Sequence, residues 1–198
     1  MLLLFQVTSP PGARHEFHWD WHDVQSPFST GSLKDAKIAE SERTVLAEAI
    51  EAQFAPNPYD PEMASEVQVK RAALNANITM IRLSQDEKES PEIVASVERF
   101  CSADGNCPLR FLRRTARGYR LLLDATGEGF TVQKTATNGF SDLVVNMHSS
   151  ATDQWLKVYR YSQGRYRRVA CYDANWAPLE NGEVHELKEP RITPSTCN

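Results

Sequence analysis

Arginines and aromatic residues recur together in two stretches of this 198-residue chain. In the first, Arg110, Arg113, Arg114, Arg117 and Arg120 interleave with Phe111 and Tyr119. In the second, Lys157, Arg160, Arg165, Arg167 and Arg168 interleave with Tyr159, Tyr161 and Tyr166. A guanidinium offers a planar fork of donors that fits a carboxylate or phosphate, and an aromatic face stacks on sugars or bases. Alternate residues of a strand share a face, so some of these side chains would line up as one cationic strip. Arg113, Tyr119, Arg120, Tyr159, Arg160, Tyr166 and Arg167 are the expected binding residues. An anionic polysaccharide or other cell-envelope component suits such a strip, ahead of nucleic acid; a protein partner is the other candidate. The plain alternative is a solvated outer face that discourages edge-to-edge pairing and balances acidic flanks.

Two further groups carry reactive types. His148, Ser149, Ser150 and Asp153 have the chemistry of nucleophilic catalysis. They are crowded into one loop, however, with no G-x-S-x-G elbow and no identifiable oxyanion donors. His148 is therefore the single catalytic candidate, and it reads better as a loop residue at a strand end. Asp124, Glu128, Asp173 and Glu183 could pair as carboxylates, but nothing in the sequence sets their separation. His15, His18 and His22 fall at i, i+3 and i+7. On a helix they would share a face, and imidazoles are good ligands for zinc, copper or nickel. The competing reading packs Trp19 and Trp21 on the body and leaves the histidines solvated. No phosphate-binding glycine-rich loop is present, and no cofactor is expected.

The four cysteines, Cys101, Cys107, Cys171 and Cys197, permit two bridges in three connectivities. Cys101 and Cys107 bracket the turn-rich SADGN, which leaves Cys171 to tie down the tail through Cys197. Neither spacing is a zinc ribbon, so disulfides and an extracytoplasmic location, periplasmic or secreted, are expected. A signal peptide is not evident. MLLLF is shorter than an h-region and no small-residue cleavage site follows, so a trimmed or mis-set start is expected. The net charge of −4 hides an asymmetry: residues 109–168 hold eleven Lys/Arg against four acidic residues. A basic unit beside acidic flanks bears on partners, not on fold.

The elements that must position these groups follow from periodicity. Leu33–Phe54 has apolar residues at helical spacing after a Ser32/Asp35 start signal, and stops before Pro56-Asn57-Pro58. Glu62–Leu74 is a second, shorter helix. From Asn77 the period becomes two. Strands are expected near 78–83, 92–98, 109–115, 119–124, 130–134, 142–147, 155–161 and 166–172, joined by Arg117-Gly118, Asn138-Gly139 and Gln163-Gly164 turns. From Pro178 onward the chain reads as a tail. One pattern is written twice: PEIVAS, CPLRFLRR, GYRLLLDA and then SDLVVN, QWLKVYRY, GRYRRVACYDA. With Leu109 set on Leu156, Phe111 meets Val158, Arg113 meets Arg160 and Tyr119 meets Tyr166 without a gap. The expected fold is α+β and mainly antiparallel β. It comprises an N-terminal arm (1–31), one or two helices on the sheet (32–76), and a duplicated β-meander, a sandwich or curved sheet (77–198).

TNGFSDLVV followed by LKVYRYSQGRYRRVACY resembles the repeat of FG-GAP and VCBS proteins, in which an Asp/Asn turn leads into an apolar strand. The chain over residues 77–198 also resembles a family of uncharacterised exported bacterial proteins. The resemblance implies an extracytoplasmic β-domain and no established reaction. The repeat's turn can hold calcium, but the matching positions here are Ser84, Asp86, Lys88 and Glu92, then Lys134, Ala136, Asn138 and Asp142. Lys88 would put an ammonium where a cation should sit, so both read as degenerate structural turns. The expected role is a non-catalytic binding or interaction module. The alternatives are an envelope-polymer hydrolase using His148 and nearby acids, or an inhibitor offering the Cys101–Cys107 loop to another enzyme.

Overall fold

The structure, a computed structural model, describes residues 17–28, 31–54 and 65–197. Helix α1 is Glu40–Glu51, a run of strong helix formers with Glu40 and Glu42 in its first turn, where the helix dipole favours acids. It buries Leu46, Ala47 and Ile50 at one face. The start is later than the sequence suggested. Leu33–Asp35 forms only a 3₁₀ turn, because the neighbouring backbone is held by tertiary partners. Leu33 N–H donates to the Ala76 carbonyl at 2.7 Å, and Ile78 N–H to that of Gly31 at 3.0 Å. Helix α2, Glu66–Leu74, begins with a capping box: Ser65 and Gln68 satisfy each other's backbone N–H.

Strands β1 (Asn77–Ile81), β2 (Glu92–Ser96), β3 (Cys107–Thr115) and β4 (Gly118–Gly127) form a four-stranded antiparallel meander in sequence order. Strands β5 (Gly129–Thr137), β6 (Phe140–His148), β7 (Asp153–Ser162) and β8 (Arg165–Asn175) form a second. The expected α+β, mainly antiparallel architecture is what the chain adopts. The turns Asn138-Gly139 and Gln163-Gly164 both have positive φ at each residue, the backbone that matches strand twist in two-residue hairpins.

The expected C-terminal tail is a correction. Leu179–Glu180 (β9) and Glu183–Val184 (β10) make a small hairpin, and Arg191–Ser195 (β11) pairs antiparallel with β8 as the fifth strand of the second sheet. Pro190 and Pro194 hid this strand. Proline lacks an N–H, but an edge strand can leave that side unbonded. The bridge Cys171–Cys197 fastens β11's end to β8, and Cys101–Cys107 closes the loop before β3. No helix among the described residues is long and apolar enough to cross a membrane.

The molecule is layered. Leu46, Ile50 and Ala73 of the helices cover Ile78, Ile93, Ala95 and Leu112 on the outer side of the first sheet. Between the sheets lie Val94, Leu109, Phe111, Leu122 and Leu123 from one side, and Phe130, Leu143, Val145, Tyr159 and Tyr166 from the other. The outer side of the second sheet carries Val144, Leu156, Val158 and Ala174 under Trp19. Trp19, buried, donates its indole N–H to Thr131 Oγ1 at 3.1 Å. The described part of the arm, 17–28, is thus a packed cover.

Register shows how the sheets stack. Pairing slips between Phe111 and Leu112 in the β3–β4 hairpin and between Val158 and Tyr159 in the β7–β8 hairpin, the 47-residue offset found in the sequence. Positions related by that offset face opposite ways. Leu109 and Phe111 point into the shared core, whereas Leu156 and Val158 point out to the arm. Leu112 faces the helices, whereas Tyr159 faces the shared core. The sheets are stacked like plates, one's front on the other's back, and are not mirrored.

Candidate functional site

The seven expected binding residues do not form one strip. Tyr119 lies under α1, its hydroxyl donating to Glu42, which also pairs with Arg114 at 2.9 Å. Burial, and then that carboxylate, push the Tyr119 phenol well above its ordinary range. Arg113 is paired with Glu89 and lies over the Phe140 ring at 4.9 Å. Arg120 donates to the Tyr161 hydroxyl at 3.3 Å. Tyr159 and Tyr166 are buried between the sheets, and the Tyr166 hydroxyl donates to the Ser141 carbonyl at 2.7 Å. Two cross-strand pairs remain: Arg113 with Arg120 on β3 and β4, both engaged as above, and Arg160 with Arg167 on β7 and β8, on the second sheet's outer side. Strand alternation separated Tyr159 from Arg160, and the sequence alone did not say which side another sheet would cover.

The triad types are likewise apart in function. The Asp153 carboxylate accepts from Ser150 Oγ at 2.6 Å and from Asn175 Nδ2 at 2.5 Å, which makes it the cap of its own turn. His148 is held through its backbone, which Asn106 clamps with one donated and one accepted bond of 2.9 and 2.8 Å. Of the histidine trio, His15 lies outside the described residues. His18 and His22 sit on no common helix: only Trp21–Asp23 is helical, as one 3₁₀ turn. His18 faces Asp20 at 3.1 Å and His22 packs on the Trp21 ring. Among the described residues no three His, Cys, Asp or Glu side chains gather to hold a metal.

The two strand-leading acids are both buried, in different company. Glu92 is fully enclosed between the sheets, and its Oε2 accepts the Leu83 N–H at 2.9 Å. Asp142, 50 residues on, is buried at the base of an open cleft on the second sheet's outer side. It accepts from Thr135 Oγ1 at 3.0 Å and Thr137 Oγ1 at 2.7 Å, and Arg160 Nε lies 3.4 Å away.

This cleft, of about 690 Å³, runs between the arm at Phe17–Asp20 and the sheet. Its floor is apolar, from Val158 and Ala170, and Phe17 stacks on Tyr172 at 4.1 Å as one wall. The irregular register between Val132 and Ala136 lets Gln133, Lys134 and Thr135 all reach it. Gln133 is 8% exposed, and its Nε2 has no hydrogen-bond partner among the described residues. A buried amide donor left unpaired is costly. The Arg160 side chain is 57% exposed. The cleft therefore offers a guanidinium and an ammonium as donors, two carboxylates as acceptors, and an aromatic wall, with the unpaired Gln133 amide enclosed in its lining. Arg160 was legible in the sequence. Gln133 was not, because a lone glutamine gives no pattern.

No protein-family model, curated protein or solved structure matches the chain.

Proposed function

We propose that the protein is a non-catalytic extracytoplasmic binding module whose ligand carries a carboxylate on a polar, ring-like scaffold. An acidic sugar unit of an envelope polysaccharide has that chemistry. The observation that carries this reading is the exposed Arg160 guanidinium beside an apolar floor and the stacked Phe17–Tyr172 wall. A carboxylate there would take the guanidinium's outer hydrogens, while hydroxyls would donate to Asp20 at the cleft's rim. The pairing would be a charge-assisted, forked one. Two disulfides suit an oxidising compartment. A hydrolase reading has less to draw on, since Asp153 is engaged by Ser150 and Asn175.

The test is isothermal titration with tetragalacturonate against neutral cellotetraose. Binding is expected for the acidic oligomer only, weakening at high salt and lost in Arg160→Glu, with a far-UV spectrum that shows the variant still folded. Flat titrations with tetragalacturonate, or full binding by Arg160→Glu, would sink the reading.

A further inference from the structure

The second sheet has five strands and the first four, and the difference falls at one place. β11 lies along β8 from Cys171 to Asn175. The positions 47 residues earlier, 124–128, include the end of β4, which bonds β3 on one side and, among the described residues, no strand on the other. Beside that edge the inner side of β7 and β8 continues as a floor that no described strand covers. Trp155 there is 48% exposed. Recesses of about 370 and 260 Å³ meet at Lys157, the first walled by Asp124, Ala125 and Thr126 of β4 and by Arg168. No carboxylate pairs with Lys157 among the described residues. Burial, and then the nearby Arg168, push its ammonium below the ordinary range.

We propose that the free edge of β4 and this floor together dock an extended acidic segment of a partner protein, which adds a fifth strand to the first sheet. Backbone bonds to β4 would supply affinity, and alternate side chains would read the floor: an acid over Lys157 and Arg168, an apolar residue on Trp155. The chain already uses this geometry once, where β11 completes β8. The neighbouring edge of the second sheet is blunted against such pairing, because β11 carries Pro194. A side-chain contact also blunts the β4 edge. Arg110 pairs with Asp124 at 2.6 Å and donates to the Ala125 carbonyl at 3.5 Å, a contact that the incoming strand must displace. A second copy of β4 fits less well, since its one acid, Asp124, is already paired.

A displayed library of short random peptides, selected on the intact protein, tests this. Enriched peptides made synthetically are expected to carry Asp or Glu at alternate positions and to slow hydrogen exchange from Leu123 to Gly127. Lys157→Glu should weaken them roughly tenfold or more, and Lys157→Gln by less. No enrichment, a footprint away from β4, or unchanged affinity in both variants overturns the proposal. A dimer in sedimentation that Lys157→Glu dissociates overturns it too, by naming a second copy as the occupant.

Discussion

Leu122 and Val169 occupy the same bulge of their respective hairpins, 47 residues apart, and meet opposite surroundings. Each is the residue skipped when pairing slips, opposite Phe111/Leu112 and Val158/Tyr159. Leu122 is 1% exposed in the core between the sheets, whereas Val169 is 49% exposed at the cleft. Truncating Leu122 to alanine should cost about 3 kcal/mol, because a filled site cannot fully collapse. The same change at Val169 should stay within about 0.5 kcal/mol. Urea denaturation of both variants checks this, and equal losses would contradict the front-to-back stacking.

Alkaline pH should destabilise the fold through its buried tyrosines. Burial raises the phenols of Tyr159 and Tyr166, and burial with Glu42 raises that of Tyr119, all above the ordinary 10.0. Above pH 10 the unfolded chain gives up protons that the folded one keeps, so stability is fully present below pH 10 and declines above it. Tyr166→Phe should flatten that decline while costing about 1 kcal/mol near neutrality, the bond to the Ser141 carbonyl. Denaturant midpoints from pH 8 to 11 would show both effects, and identical slopes in the two proteins would refute the assignment.

Reducing Cys171–Cys197 releases β11. The bridge closes a loop with a sequence separation of 26, for which loop-closure entropy gives about 3.5 kcal/mol. The Cys171→Ser/Cys197→Ser protein should lose about that much. It should also exchange the β11 amides early, while β3 and β6 stay protected. Protection of β11 equal to wild type would mean that strand pairing alone holds it.

Two glycines should fail for different reasons. A Cβ on Gly127 would lie 2.5 Å from Val145 Cγ1 and 2.6 Å from the Asn146 carbonyl, where the chain passes between sheets. Gly127→Ala should therefore cost about 2 to 3 kcal/mol as steric overlap. Gly182 has open space around it but φ +86°, so Gly182→Ala should cost only about 1 kcal/mol, as backbone strain. Thermal melts separate the two cases, and a larger loss at Gly182 would reverse this account.

The strands were legible because alternation is strong and Asn-Gly and Gln-Gly turns punctuate it. Which side of each strand lay inward was not. β2 is buried along its whole length, and β6 over all but its last two residues, so no polar side marked the solvent. The late start of α1 depended on bonds from Leu33 and Ile78 to distant carbonyls, and local propensity cannot show those. The cysteine pairs were readable from spacing, since Cys101 and Cys107 bracket one loop. Of the cleft, Arg160 and Asp142 stood out by charge. Their meeting with Gln133 arises from a register irregularity in β5 that no residue type announces.

Front-to-back stacking gives the molecule a direction. A mirrored sandwich presents the same kind of surface at both ends, but this one ends in two unlike surfaces that need two different lids. The helices close one and the indole-bearing arm the other, and neither could replace its counterpart. Covering one outer side with the other's lid would set the helices' Leu46 and Ile50 on Val144 and Leu156 in place of Ile93 and Leu112.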